Sequence, residues 1–303
     1  MRVMPPKGGH TVGTAATRPE FAGSTAVGHA DKKSHSHATK ASTIPPSERG
    51  RPSSVVIAGA GIIGLTTAWQ LRRRGIEVTV LDDAPVSGAT FATAGMLAPV
   101  SEVVWDQPTL YPLMVESGRI YRDFAAAIAD DVGHDIGYLE SSTFVCAGDS
   151  ADRQTLNELL ELQHRMGMTV NRLSVSQARA AEPALGPGFV GAVDIPGDHQ
   201  VDPRQLCGAI LEILGDQVVP TRAGEVLFNK DHRAIGLGGA DGRKYYADHV
   251  VLAAGVGTGA ITGIPHALTD LLRPVRGEVM RLRVPEPLQP LVTRTIRGVV
   301  QGR

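Results

Sequence analysis

Cysteine, aromatic residues and net charge are all scarce in this chain of 303 residues. Its 2 cysteines lie far apart and form no C-x-x-C pair, so neither a disulfide framework nor a dithiol redox pair is indicated. A formal net charge of -1 gives no electrostatic basis for binding nucleic acid or an acidic membrane surface. No apolar run approaches the roughly 18 residues of a membrane-spanning helix. These absences predict a cytoplasmic protein of one or two domains that binds neither nucleic acid nor membrane.

The first 53 residues differ in composition from the rest of the chain. They are rich in small, polar and basic residues and nearly free of large apolar side chains, which is typical of disorder. They contain no apolar core of about 7 to 15 residues before a small-residue cleavage site, so no secretory signal is predicted. Histidines such as His35 and His37 in a disordered tail usually bind nothing specific, and we predict no metal site.

The strongest pattern in the chain is a strand, a glycine turn, a helix and a second strand over residues 56–82. Gly59, Gly61 and Gly64 have the G-x-G-x-x-G spacing. In this motif the first glycine turns tightly, the second admits a pyrophosphate against bare backbone, and the third lets the helix pack on the strand. Asp82 ends the second strand, where its carboxylate can accept both ribose hydroxyls and repel a 2′-phosphate. A helix–strand unit that binds no nucleotide is the disfavoured alternative.

Two further segments indicate a ligand. Residues 88–102 are small and follow no helical or strand period, yet they include Phe91, Met96 and Leu97. A flexible surface loop is therefore disfavoured against a loop buried along a cofactor. Residues 250–255 are predicted to form a buried parallel strand ending in small residues, as expected where a strand end meets a ligand. Such a late strand is more typical of FAD domains than of enzymes that bind a nicotinamide cofactor alone.

Periodicity and capping signals place the other elements. The predicted helices span 108–131 and 151–166, with two more that start at Ser176 and at Asp202-Pro203. The predicted strands span 136–147, 189–195, 225–229, 233–238, 244–248 and 274–284.

Taken with the glycine motif, these stretches resemble the FAD-dependent D-amino acid oxidase superfamily, and within it the glycine oxidases of thiamine biosynthesis. The similarity lies in residues 94–102, 197–203, 252–255 and 274–277, in the same order, and it covers about residues 54–303. The stretches at 94–102 and around Asp202-Pro203 are the specific ones.

The resemblance implies an α/β fold in which a Rossmann-type FAD-binding domain is interleaved with an α+β substrate domain of mixed or antiparallel sheet. The FAD-binding domain would consist of 54–103 and 199–273. The substrate domain would consist of 104–198 and 274–303 and would be incomplete at its C-terminal end.

The resemblance also implies FAD as the cofactor and assigns the residues around it. Gly59, Gly61, Gly64 and Asp82 would hold the ADP moiety. Thr90, Ala94, Gly95, Met96 and Leu97 would approach the phosphate and isoalloxazine end. The backbone of Val226 would meet the adenine, and Ala254 and Gly255 would end the late strand beside the cofactor. No catalytic side chain is assigned, because the cofactor carries the chemistry and the protein supplies orientation and electrostatics.

Enzymes of this kind pass a hydride from the substrate Cα to the flavin, release an imine that is hydrolysed, and let oxygen reoxidise the flavin to give hydrogen peroxide. The implied partners are therefore a small amino acid substrate and O2, and a homo-oligomer is compatible with the family. The chain stops at Arg303, before the family's Tyr-x-x-Pro-Arg-like stretch, its carboxylate-binding arginine and its last glycine-rich segment. We therefore expect an unpaired sheet edge and exposed apolar surface.

Four arginines could replace the family's carboxylate clamp, although a surface or sheet-edge role is the commoner explanation for each. They are Arg276, Arg281, Arg294 and Arg297. The favoured function is a glycine oxidase acting on glycine or a small amine-bearing acid. The alternatives are a D-amino acid dehydrogenase that reduces a quinone or carrier, a truncated and catalytically silent flavin-binding protein and, more distantly, an NAD-binding dehydrogenase.

Overall fold

The computed structural model describes residues 53–103, 105 and 107–300. The helices of this part of the chain are α1 Ile62–Arg73, α2 Ala89–Ala92, α3 Tyr111–Val132, α4 Ser150–Arg165, α5 Val175–Ala181, α6 Pro203–Leu214 and α7 His266–Thr269. None of these described helices is both long and apolar enough to cross a membrane. Apart from Ser53, the predicted disordered extension lies outside the described residues.

The strands of the same part of the chain are β1 Ser54–Ala58, β2 Glu77–Leu81, β3 Met96–Leu97, β4 Tyr138–Leu139, β5 Thr143–Ala147, β6 Asn171–Leu173, β7 Gly191–Ile195, β8 His199–Val201, β9 Val218–Val219, β10 Ala223–Phe228, β11 Ala234–Gly239, β12 Lys244–Tyr246, β13 His249–Leu252 and β14 Thr295–Val299.

A parallel sheet in the order β13-β1-β2-β9 is at the centre of the nucleotide-binding half. Side chains of a strand alternate between its two faces, and β1 is buried on both. Val55 and Ile57 pack with the helical core that includes Leu65 of α1 and Ile210 of α6. Residues Val56 and Ala58 pack on the other face, against the sheet formed by β10 to β12. This layered arrangement confirms the predicted α/β Rossmann-type fold.

The ends of α1 and α6 follow their local sequence signals. Gly75 has a φ of 75° just after α1, a left-handed conformation that glycine adopts without strain. The Asp202 side chain caps α6 by accepting a hydrogen bond from the Arg204 N–H, and Pro203 occupies the first helical position. The helix start predicted at Asp202-Pro203 is therefore confirmed.

The three predicted strands that follow α6 also form, as the antiparallel sheet β10-β11-β12. A second group of strands, in the order β14-β5-β7-β6, is mixed: β14 runs parallel to β5, and the other pairs are antiparallel. The small antiparallel sheet β3-β8-β4 combines strands from both predicted domains. Strand β4 lies in 104–198, whereas β3 lies in 54–103 and β8 in 199–273. The division into two domains stays a prediction.

One strand prediction is wrong in part, and another is wrong entirely. The single strand predicted over 136–147 is two strands, β4 and β5, because β4 pairs with β8 and β5 with β7 in different sheets. The strand predicted over 274–284 does not form, and side chains such as Val275 and Met280 are mostly exposed. An alternating segment needs a hydrogen-bonding neighbour, and among the described residues no strand pairs with this one.

Candidate functional site

A crevice of about 430 Å³ opens at the carboxyl ends of β1 and β2, beside the residues that follow β13. Ligands of open α/β sheets bind at such a position, where parallel strands end. Its lining combines the glycine turn and the end of β2 with the start of β10 and the turn after β13. These residues are Ala58, Gly59, Leu81, Asp82, Asp83, Arg222, Ala223, Gly224, Ala240, Ala254, Gly257, Ala260 and Ile261.

The three glycines of the turn are required for different reasons. A Cβ on Gly64 would stand 1.9 Å from the Gly59 carbonyl oxygen, so the third position packs backbone on backbone. Gly59 has a φ of 102°, and a Cβ there would lie 2.6 Å from the carbonyl oxygen of Ala253. A Cβ on Gly61 would meet no backbone within 4 Å, and its near neighbour would be the Thr90 hydroxyl at 3.2 Å. The outer glycines therefore serve the fold, and the middle one leaves space for a ligand.

The start of α1 is suited to an anion. Gly61 occupies the N-cap and offers no side-chain acceptor to the first turn. The Ile62 N–H donates to the Thr90 hydroxyl at 3.1 Å, which places Thr90 beside the turn. The other N–H groups of the first turn and the positive end of the helix dipole together favour a phosphate at this position.

The Asp82 carboxylate contacts the same turn. Its Oδ2 accepts a hydrogen bond from the Ala60 N–H at 2.6 Å, and its Oδ1 accepts one from the Ala84 N–H at 2.8 Å. Each carboxylate oxygen has a second acceptor site, so Asp82 can still receive ribose hydroxyls. It therefore both shapes the turn and faces the crevice.

The segment after α2 leads away from the start of α1. Gly95 has a φ of 78°, and a Cβ there would lie 1.9 Å from the Val201 carbonyl oxygen, so β3 is held tightly against β8. Met96 pairs with Gln200 in this ladder and is 47% exposed, while Ala94 is also exposed. Part of the predicted cofactor loop is therefore open to a ligand rather than buried by protein.

The same loop contains more regular structure than its sequence indicates. Residues 89–92 form the single turn of α2, and residues 96–97 form β3. The apolar Phe91 is 56% exposed, so it contributes to the open surface of the segment.

A buried carboxylate that sequence reasoning missed fixes the turn after β3. Asp198 is fully buried and accepts hydrogen bonds from the N–H groups of Val100 and Ser101 at 3.1 and 3.3 Å. Burial raises the pKa of the Asp198 carboxyl, against the opposing effect of these donors. Gln163 of α4 adds a hydrogen bond to the Val100 carbonyl at 3.0 Å. Nothing in the local sequence pairs Asp198 with a segment 98 residues away.

The four arginines considered as carboxylate clamps all contact groups of the chain. Arg294 pairs with buried Glu182 at 2.8 Å, and Arg297 pairs with Glu102 at 2.6 Å. The Arg276 guanidinium lies 3.5 Å from the carboxylate of its neighbour Glu278, and both are highly exposed. Arg281 donates to the Phe91 carbonyl at 3.0 Å. The structure assigns none of the four to a substrate.

The expectation for Val226 is corrected by the structure. Val226 does not line the crevice, and its N–H donates to the Thr262 carbonyl at 2.9 Å, so this backbone donor is not open to an adenine. Ala223 and Gly224, at the start of the same strand, line the crevice instead. The expectation for Val226 came from the family resemblance, which does not fix the hydrogen-bond partners of β10 in this chain. Arg222, also at the rim, was not anticipated.

The other residues expected at the cofactor lie around this crevice. Ala254 lines it directly, and Gly255, with a φ of 55°, starts the 3₁₀ turn that follows β13. Thr90 of α2 contacts the start of α1, and the open β3 segment follows α2 in the chain. An elongated dinucleotide with an adenosine, a pyrophosphate and a flat ring system fits this sequence of surfaces.

Comparison with known proteins agrees with this geometry. Residues 54–300 match the family model DAO, FAD dependent oxidoreductase. The chain is 29% identical over 243 residues to a glycine oxidase from Geobacillus kaustophilus, a match that covers 77% of this chain and 62% of that protein. It is 25% identical over 282 residues to a D-amino acid dehydrogenase from a Methylobacterium species, covering 76% and 67% of the two chains.

The crystal structure of glycine oxidase from Geobacillus kaustophilus superimposes with a TM-score of 0.66 at 24% identity, over 82% of this chain and 66% of that one. This likeness supports the fold. The chain spans about three fifths of the length of the curated glycine oxidase. Because the family model covers nearly all of the described residues, the chain belongs to the DAO family of FAD-dependent oxidoreductases.

Proposed function

We propose that the protein oxidises the amine of glycine or a small amino acid, with O2 as the final acceptor and hydrogen peroxide as a product, in thiamine biosynthesis. The observation that carries the proposal is the contact between the start of α1 and Thr90 of α2, the helix that directly precedes the β3 segment. That segment packs tightly against β8 at Gly95, and its Met96 side chain is exposed. The similarity to a protein named glycine oxidase supports the choice of substrate class.

The chain's own residues would bind and orient the reactants. The α1 start and Asp82 would hold the ADP half of FAD through backbone N–H groups and a carboxylate. Asp198 and Arg297 fix the turn after β3 from two sides, and Arg297 donates to the Ser101 hydroxyl at 3.0 Å. When bound, FAD supplies the two-electron chemistry that no side chain provides. A rigid wall beside the reacting centre favours the aligned geometry on which such transfer depends.

A D-amino acid dehydrogenase is the second candidate, because one matched relative has that name. The two reactions share the substrate-oxidation half and differ in the acceptor. An oxidase lets O2 reach the reduced cofactor, whereas a dehydrogenase does not. Comparing reoxidation by O2 with reoxidation by an artificial acceptor distinguishes the two.

The test is the visible absorbance of the purified 303-residue chain, recorded before and after anaerobic addition of glycine or D-alanine. We expect a flavin band that bleaches with the amino acid and recovers with air as peroxide appears. Bleaching with recovery only on addition of an artificial acceptor would favour the dehydrogenase. A band that persists with either amino acid would contradict both candidates and leave a flavin-binding protein without this activity.

Gly61→Val provides the matched control. A Cβ at this position meets the Thr90 hydroxyl at 3.2 Å and no backbone atom within 4 Å, so we expect the fold to persist while the branched side chain blocks the approach of the ligand. Any amino acid oxidation that survives in this variant would come from a different site or a contaminant.

A further inference from the structure

A second crevice lies in the other half of the molecule, between α4, the β6–β7 pair and the start of α5. Its volume is about 470 Å³, and none of its lining residues belongs to the dinucleotide crevice. It is therefore separate from the site described above.

The crevice is lined by positive charge without acidic side chains. Arg153 of α4 and Arg172 of β6 line it, and neither guanidinium forms an ion pair with a carboxylate among the residues that the structure describes. The amide of Asn157 lies on the same wall, one helical turn after Arg153. Planar guanidinium groups bind carboxylates in a bidentate manner, with shorter and stronger hydrogen bonds than neutral donors make.

Aliphatic groups form half of the lining. Five of the ten lining residues are apolar and aliphatic, and they come from four successive elements and the approach to β7. They are Leu156, Leu173, Val175, Val190 and Ala192. A ligand that fits both parts needs a compact hydrocarbon body as well as an anionic end.

A glycine positions one of the two arginines. The Cγ and Cδ atoms of Arg153 lie 3.2 Å from the point where a Cβ on Gly191 would stand. The Arg153 stem therefore lies over the backbone of β7, where a larger residue would crowd it. The aliphatic stem of Arg153 thus covers part of β7, and Arg153 lines the crevice.

We propose that this crevice binds a small aliphatic carboxylic acid, with its carboxylate on Arg153 and Arg172 and its hydrocarbon body against Leu156 and Val190. The site would sense an organic acid independently of amino acid oxidation, since it shares no residue with the cofactor crevice.

Ligand-observed NMR titration of the full chain with 3-methylbutanoate tests the proposal, with 3-methylbutanamide as the neutral analogue and inorganic phosphate as a competitor. We expect saturable binding of the acid, no saturable binding of the amide, and weak competition by phosphate. Arg153→Gln and Arg172→Gln should each weaken binding about tenfold or more, the loss expected for one charge-assisted contact. Arg172→Lys, which keeps the charge but loses the planar fork, should fall between.

Arg165→Gln is the control, because Arg165 is an exposed arginine of the same helix outside the crevice. It should bind as the parent chain does. Equal affinity in the parent and both glutamine variants would place the acid elsewhere and overturn the proposal. Absence of saturable binding, or displacement by phosphate as effective as by the acid, would also overturn it.

Discussion

Gly64 and Gly61 are three residues apart in one turn, yet alanine should affect them in different ways. In Gly64→Ala the new Cβ would stand 1.9 Å from the Gly59 carbonyl oxygen and 3.0 Å from the carbonyl carbon. Non-bonded carbon and oxygen atoms stay more than an ångström farther apart than this, so α1 must move away from β1. Overpacking typically costs about 1–3 kcal/mol, and a backbone contact this close should bring the loss of unfolding free energy to about 3 kcal/mol or more.

Gly61→Ala meets only the flexible Thr90 hydroxyl at 3.2 Å. We expect it to cost about 1 kcal/mol or less, chiefly through the poorer N-cap that alanine provides. The same methyl group would, however, occupy the side from which a pyrophosphate approaches the backbone. FAD affinity should therefore fall about 100-fold, equivalent to about 2.7 kcal/mol, while the fold persists.

Urea unfolding of the cofactor-free chain and titration of FAD fluorescence measure the two effects separately. Gly64→Ala should lower both stability and FAD affinity strongly, whereas Gly61→Ala should lower FAD affinity with a loss of stability of at most about 1 kcal/mol. The reasoning is refuted if Gly61→Ala destabilises the fold as much as Gly64→Ala, or if Gly61→Ala binds FAD like the parent chain.

Three further predictions concern carboxylates. Glu182→Ala removes the acceptor for the N–H and hydroxyl of Thr293, so it should lower the unfolding free energy in urea by about 3 kcal/mol. Glu182→Gln should lose less, and equal losses in the two variants would contradict this. Hydrogen bonds from Ser53 and Ser54 lower the pKa of Asp248 from 3.8 to about 2. The Asp248 carboxylate therefore stabilises the folded state fully above about pH 4, and this contribution is lost as the pH falls towards about 2. Asp248→Asn should lack that acid-dependent step in pH-dependent unfolding. Asp82→Asn should weaken FAD binding about tenfold in a fluorescence titration, whereas Asp83→Asn, at the same rim, should leave it nearly unchanged.

Local patterns were sufficient for the nucleotide-binding unit. The glycine spacing, the strand periodicity before Asp82 and the cap at Asp202 are set by residues close in sequence, and each appears where the pattern places it. The same holds for β10 to β12, which are separated by short turns and pair with sequence neighbours.

The errors arise where a neighbour distant in sequence decides the outcome. The alternation over 274–284 is real, but no described strand offers it hydrogen bonds. The interruption between β4 and β5 reflects their pairing with different strands, which alternation within 136–147 cannot reveal. Val226 was placed at the adenine by the family resemblance, and that resemblance does not reveal that its N–H donates to the Thr262 carbonyl in this chain.

Two buried carboxylates connect segments that are far apart in the sequence. No local pattern reveals either of them. Asp198, from the turn before β8, holds the backbone N–H groups of the turn after β3. Glu182, at the end of α5, holds Thr293 at the entry to β14. Arg297 of β14 then reaches back to Ser101, within the turn that Asp198 holds. Hydrogen bonds to buried charges are costly to break, so Asp198 and Glu182 fix these two segments, and the partly exposed Arg297 is the contact that joins β14 to the turn. A change in β14 should therefore alter the cofactor environment without touching the glycine turn.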